Sequence, residues 1–413
     1  MNSLLNNVLK IIELNNQGNK RYLNGVTLFS LKDLSSTQKH FSIGEWILLK
    51  TLNGETLISF CSPYSEKGFF IQLVSNFPVS SHFSEGDILA FITNSIDKSV
   101  RRRELLIDDF PCCRLVYGGF DLLPGLVIDG YENHILININ STGLDLYRKE
   151  IINQFKSLFP QKNILYRENH TYRKREGLPQ YDQDEIKEGL IATENDLSVC
   201  IDPMISQKNG YYYDHRLNRL NFIRLLKKFN FSSGLDLFSY VGPWGLGMLK
   251  NGFNKVDFVD QGNMKPSIEK SLNKNSLNNA GDIYRDDVFK FLQKSVSCRY
   301  DVVCCDPPAF AKSLKQKSEA LKGYRKLIKN IVPLLNDKSL LVFASCTKYV
   351  SYSELDQLVK HFLNFQKLSF QLLFNGIQDY DHPIKSLDDD NNYIKCLIYY
   401  IEKDNNELSG KDS

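Results

Sequence analysis

The stretch GLDLFSYVG, residues 234–242, decides how the second half of this chain folds. It is apolar, short and stops at Asp236, Phe238 and Ser239 before Gly242, where a helix can begin. Glycine there lets the backbone approach a ligand closely, as at the end of a first strand in a doubly wound sheet. The same grammar recurs outward. KVDFVD (255–260) stops at Asp260, 24 residues after Asp236, and DIYRDD (282–287) stops at Asp286 and Asp287. YDVVCCDPPAF (300–310) turns at Asp306, and LLVFASCT (340–347) stops at Cys346 between two hydroxyl residues. Helical segments separate these runs. Strands at this spacing predict an α/β domain over 186–403 with a parallel sheet covered on both faces. LSVCI (197–201) and a helix over 214–228 precede the sheet, a strand over 392–403 closes it, and the polar tail 404–413 is expected to fray.

The first 185 residues read differently. Residues 1–30 are partly helical in pattern. Over 43–75 apolar and polar residues alternate, with turn signals at Asn53-Gly54 and Lys67-Gly68, which predicts a small β-barrel module spanning 1–78. A second α+β unit is expected over 79–185. It contains the helix SIDKSVRRRELLI with one basic face, strands at LVIDG and HILININ, a helix near 147–158, and the charged stretch YRENHTYRKREGLPQY.

Composition narrows the classes. With 42% hydrophobic and 24% charged residues the 413-residue chain is an ordinary globular protein of two or three domains. A net charge of +3 neither demands nor repels nucleic acid, so any basic footprint must be local. The nine cysteines and seven histidines show no CxxC, HxxxH or HExxH, and no metal site is expected. Cysteines inside apolar runs fit reduced thiols in the cytosol. No apolar run reaches the ~20 residues that span a bilayer, so no membrane partner is expected.

Four acidic residues at successive strand ends suggest a pocket rather than four separate helix caps. Neither GxGxxG nor GxxxxGK[ST] occurs, so a pyrophosphate is a poor guest. Carboxylates suit a ribose (Asp260), an adenine amino group (Asp287) and a positive centre (Asp236, Asp306), which together describe S-adenosylmethionine. Phe238, Ser239 and Gly242 would complete that site.

With these motifs in place, the chain resembles the class I S-adenosylmethionine-dependent RNA methyltransferases with a Rossmann-like sheet. It is most similar to the bacterial large-subunit rRNA 5-methylcytosine methyltransferases that carry an N-terminal PUA domain. SQKNGYYYDHR (206–216), DLFSYVG (236–242), RDDVFKFL (285–292), DPPAF (306–310) and SCT (345–347) follow in the family order. FDLLPGLVIDGYEN (120–133) and YRKREGLP (172–179) resemble its central domain. Departures are Pro243-Trp244 after Gly242, Gln261-Gly262 after Asp260, and Gly119 before Phe120.

Carbon 5 of cytosine is a poor nucleophile unless a thiolate first adds to carbon 6. Cys346 is placed for that role and Asp306 for managing charge at the ring, which the resemblance also implies. Cys304 and Cys305 read as packing, with Cys305 a minor candidate for the role of Cys346. Pro307 and Pro308 stiffen the loop, and Phe310 could stack on a base. Basic RNA contacts are expected from Arg173, Lys174 and Arg175, and from Arg101-Arg102-Arg103 unless that trio is only a solvated helix face. Tyr212 and Arg216 are expected on the substrate or cofactor side, with helix packing as the alternative. The expected partner is ribosomal RNA; monomer and homodimer stay open. Two rival readings are methylation of an exocyclic nitrogen of guanine or adenine, and a non-catalytic RNA-binding assembly protein.

Overall fold

The computed structural model describes residues 8–35, 41–62, 71–166, 173–174, 176–179, 189–202, 210–277, 281–294, 298–389 and 391–403. The chain divides into two compact units, Met1–Glu188 and Gly189–Ser413. The turn read at Lys67-Gly68 and the tail from 404 lie outside the described residues.

The first unit holds β1 (Ile11–Glu13), α1 (Asn16–Leu23), β2 (Leu28–Phe29), β3 (Trp46–Lys50), β4 (Thr56–Cys61) and β5 (Ile71–Leu73). These strands form one five-stranded sheet in the order β1-β3-β4-β5-β2. Then follow α2 (Glu85–Leu106), β6 (Arg114–Tyr117), β7 (Leu126–Gly130), β8 (His134–Ile139), α3 (Thr142–Asp145), α4 (Arg148–Leu158) and β9 (Asn163–Tyr166). β6 to β9 make a second, four-stranded sheet in sequence order.

β3 and β4 are apolar at nearly every position because both their faces are covered. Ile47, Leu49 and Leu57 pack with Ile12, Phe29 and Ile71. Trp46, Leu48, Ile58 and Phe60 point the other way and share a core with Ile88, Ile92 and Ile96 of α2 and with Ile128 and Ile137 of the second sheet. The Trp46 indole donates to the Gly143 carbonyl at 2.9 Å inside it. The two N-terminal modules separated at residue 78 by the sequence pattern therefore meet in one hydrophobic cluster.

The second unit opens with the hairpin β10 (Leu190–Glu194) and β11 (Leu197–Ile201), then α5 (Arg216–Leu226), β12 (Ser233–Leu237), α6 (Pro243–Lys250), β13 (Lys255–Asp260), α7 (Lys265–Lys274), β14 (Ile283–Arg285) and α8 (Val288–Lys294). It continues with β15 (Tyr300–Cys305), α9 (Lys317–Ile331), β16 (Leu335–Ser345), α10 (Tyr352–Phe365), β17 (Leu368–Gly376) and β18 (Lys395–Lys403). Seven strands form one sheet in the order β14-β13-β12-β15-β16-β18-β17. β12 sits beside both β13 and β15, so the order reverses there and a crevice opens at the carboxyl ends of these strands.

The sheet is mixed, not wholly parallel as the strand-helix alternation predicts. β18 runs antiparallel to β16 on one side and to β17 on the other. The cause is the connection: between Gly376 and Lys395 there is no helix among the described residues, so the chain turns back instead of crossing over. Register levels the strand ends that matter. Cys305 stands beside Phe343, and Ser345 beside Lys395.

Candidate functional site

The turn after β12 is unusual in its backbone. Phe238, Tyr240 and Gly242 have φ of 58°, 50° and 82°. Two non-glycine residues in the left-handed region within one turn are costly and need support from their surroundings. Asp260 gives part of that support. Its Oδ2 accepts the Tyr240 amide at 2.9 Å and its Oδ1 accepts the Gly262 amide at 2.7 Å. One carboxylate thus ties the turn after β12 to the turn after β13, and each oxygen keeps a further lone pair.

Asp236 is fully buried, and its Oδ2 accepts the Gly245 amide in the first turn of α6 at 2.9 Å. Its Oδ1 is buried with no protein partner, and so is the Ser239 hydroxyl. Burial pushes the Asp236 carboxyl well above the usual carboxylate range, and the Asp306 and Asp260 charges add to it. Two orphaned acceptors at one strand end fit a donor-rich, positively charged small molecule. At the next strand, Asp287 accepts the Gln261 side-chain amide at 2.5 Å and the Lys290 backbone amide at 3.0 Å. Asp287 also lines a hollow of about 570 Å³ with Phe289, Lys290, Lys322 and Lys326.

Asp306 ends β15. The Trp244 indole donates to its Oδ2 at 3.2 Å, and His215 Nε2 lies 3.5 Å from its Oδ1. The Asn218 side-chain amide donates to the Ile377 carbonyl at 3.0 Å and faces His215 Nδ1 at 3.1 Å. That orientation makes Nδ1 the acceptor, so a neutral His215 ring carries its proton on Nε2, toward Asp306.

Cys346 follows β16 directly and is partly exposed, unlike Cys304, Cys305 and Cys396, which are buried in the sheet. Its Sγ donates weakly to the Pro307 carbonyl at 3.5 Å, so thiol and DPP loop meet. Burial pushes the thiol up to about 12, with the Asp306 and Asp214 carboxylates adding to it and Lys395 opposing. The flanking hydroxyls are engaged: Thr347 donates to the Ala311 carbonyl at 2.7 Å, and Ser345 bonds Tyr324 at 2.8 Å. Tyr212, 45% exposed, packs edge-on against Tyr240 at 5.1 Å. Burial and then the charges of Asp214, Cys346, Asp306 and Asp260 raise its phenol, which puts the ring at this strand-end cluster.

Other residues singled out by sequence take different places. Phe310 is half-buried, its ring against Tyr324 at 4.9 Å and Phe289 at 6.2 Å, packed on the edge of the main core. Pro307 is buried and Pro308 exposed. Arg216 is buried, its Nε on Asp379 at 2.6 Å and its Nη2 3.2 Å from Asp381. Arg173 is fully buried, donating to the Asp145 carboxylate at 3.0 Å and to the Ile139 and Pro179 carbonyls at 2.6 Å each. Arg173, expected as an RNA contact, and Arg216, expected on the substrate or cofactor side or in helix packing, are both interior ion pairs, because a planar guanidinium can saturate several acceptors at once. Lys174 is exposed, and Arg175 lies outside the described residues. Arg103 is buried against Asp121, Arg102 is more exposed but pairs with the same carboxylate at 3.0 Å, and Arg101 faces solvent. The sequence reading assigned no role to His215, Asp214 or Lys395, and noted Trp244 only as a departure. The adjacency of Asp214 and His215 to the Tyr211–Tyr213 run was the available signal.

Among the described residues no group of three metal-ligating side chains occurs, and no helix is long and apolar enough to cross a membrane.

No family model matches the chain. It is similar to the ribosomal RNA large subunit methyltransferase I of Tolumonas auensis, 29% identical over 75% of this chain and 80% of that protein. The protein of the same name from Shigella dysenteriae is 27% identical over 76% and 80%. Among solved structures, a protein assigned as a methyltransferase and complexed with SAH superposes with a TM-score of 0.70 at 18% identity, covering 95% of this chain and 99% of that one. A protein from Streptococcus mutans assigned as a SAM-dependent methyltransferase gives 0.69 at 19% identity, over 95% and 100%. At such identities the structural likeness is one of fold, a mixed α/β sheet.

Proposed function

We propose that this protein is an S-adenosylmethionine-dependent methyltransferase that modifies carbon 5 of a cytosine in large-subunit ribosomal RNA, with Cys346 as nucleophile. The observation that carries the reading is the meeting of the Cys346 thiol with the loop of Asp306, level with a strand end whose Asp236 and Ser239 oxygens lack partners. The curated relatives named above support RNA as the substrate class.

Asp236, Ser239, Asp260 and Asp287, with the turn at Phe238 and Gly242, would hold S-adenosylmethionine, which supplies an electrophilic methyl group when bound. Trp244 holds the Asp306 carboxylate by its indole hydrogen bond, and His215 stands beside it. Sγ bonds to carbon 6 of the base, its proton passing through Asp306 to ring N3, and carbon 5 gains enamine character. Once carbon 5 carries the methyl group, its hydrogen leaves as a proton to solvent base. N3 gives up its proton, and the bond from Sγ to carbon 6 breaks to restore the ring. The elevated thiol means that Sγ is protonated at neutral pH, so proton removal accompanies attack. The five-stranded sheet of the first unit takes the part of a PUA-like RNA-binding module, and the protein works in the cytoplasm.

Cys346→Ala is expected to abolish methyl transfer while calorimetry shows unchanged S-adenosylmethionine affinity. Digestion of the RNA product and mass spectrometry should show 5-methylcytidine. An N-methylated guanosine or adenosine, or full activity of the alanine variant, overturns the assignment.

A further inference from the structure

We propose that Lys395 is a positioning residue of this site: its buried ammonium, facing no carboxylate and anchored on the residue that follows Cys346, biases the Cys346 sulfur toward the thiolate. The proposal rests on the cysteine-nucleophile reading above and adds a second residue to it.

Lys395 begins β18 and is 4% exposed. Register sets it opposite Ser345, the last residue of β16. Its Nζ donates to the Thr347 carbonyl at 2.9 Å and to the Asn392 carbonyl at 3.3 Å. Neither acceptor is charged, and no carboxylate lies within ion-pair distance among the described residues. A buried lysine without an acid is unusual, because an uncompensated charge is expensive away from water. Its cost is visible in the direction of its own equilibrium. Burial lowers it to about 8, and the interaction with Cys346 works against that. The influence is mutual, since Lys395 draws the thiol down while burial, Asp306 and Asp214 push it up. The two carboxylates that act on the sulfur disfavour its ionisation: Asp306 after β15 and Asp214 before α5. The phenols of Tyr212 and Tyr324 also interact with it. Among the described residues, Lys395 is the cation whose charge draws the Cys346 thiol down. A packing role would be better met by Leu or Met, and the carbonyl contacts alone would be met by a neutral amide. The charge is what lysine adds.

Alkylation of the full-length protein by iodoacetamide, followed by mass spectrometry of the peptide containing Cys346, reads the thiolate population at that residue. It needs neither RNA nor methyl donor. In the wild-type protein the logarithm of the rate is expected to climb with pH but to lose slope near pH 8, where Lys395 gives up its proton and its field. Lys395→Met keeps the bulk and removes the charge; Lys395→Gln also keeps a donor for the Thr347 carbonyl. Both are expected to react about tenfold more slowly at pH 7, the effect of about one pKa unit, and to show a straight profile through pH 8. Circular dichroism and S-adenosylmethionine titration establish that each variant is folded. A straight wild-type profile, or a folded variant within threefold of wild type, overturns the proposal. A Lys395→Gln variant that reacts like wild type reduces the lysine to a structural hydrogen bond and overturns it equally. Methyl transfer retained in Cys346→Ala would sink the functional reading instead, and alkylation would still report on Lys395.

Discussion

Asp236 sits where a charge is disfavoured, with one oxygen on the Gly245 amide and the other on nothing the protein supplies. Its carboxyl is raised above its unfolded value, so ionising it costs the folded state. The sign follows from proton linkage: the cost is absent below the ordinary carboxylate range, develops as pH rises toward the folded value, and is fully present above it. Asp236→Asn removes the charge and keeps an acceptor for Gly245. Its melting temperature is expected to exceed that of wild type at pH 7 and to match it near pH 3, while S-adenosylmethionine affinity falls at least tenfold. Equal affinity of the two proteins by calorimetry would contradict the pocket assignment. At this scale the sequence was informative where a residue ends a strand. Asp236, Asp260, Asp306 and Cys346 were legible from the apolar runs before them. Lys395 was not, because YIKCLIYYIEK presents it as a polar interruption in an apolar strand. Only the pairing with β16 shows what it stands beside. Arg173 misled for a related reason: composition sees a cation and cannot see the acid that neutralises it.

The element that concentrates the constraints is α6. It begins at Gly242 in the left-handed region with Pro243 in its first turn, where the missing amide hydrogen costs nothing. It lies so close to β13 that a Cβ on Gly245 would stand 2.2 Å from the Phe258 ring. Gly245→Ala is therefore expected to push α6 away from the sheet and to destabilise by about 1–3 kcal/mol, as overpacked cores do, read by denaturant unfolding. Because the Gly245 amide holds Asp236, cofactor affinity should fall in the same variant. An alanine variant of undiminished stability and affinity would show that α6 is free to shift. The central strands were readable because a strand covered on both faces is an unbroken apolar run; β15 is buried at every position but Asp301. β17 was missed. It is the edge strand, half exposed, and its alternation breaks at the irregularity between Leu372 and Phe374. The direction of β18 was likewise invisible, since a strand's own side chains do not record which way its neighbours run.

Across the whole molecule, the described cores stay within their own units: one cluster covers one face of the seven-stranded sheet, and two belong to the first 188 residues. A ligand stabilises only what it binds, by about 2.7 kcal/mol at a hundred times its dissociation constant. S-adenosylmethionine is thus expected to slow hydrogen exchange in β12, β13 and β15, with little change in β3 and β4. Protection spread evenly over both units would place the binding site elsewhere. The insertion of β18 between β16 and β17 has a consequence for how the protein comes into being. A ribosome delivers the chain in order, so β16 and β17 emerge before the strand that must slot between them. Until residues 395–403 leave the exit tunnel, the thiol of Cys346 has neither its flanking strand nor its lysine. The nascent chain consequently carries an ordinary thiol there, without the folded environment of the site, and that environment is complete only when β18 has inserted.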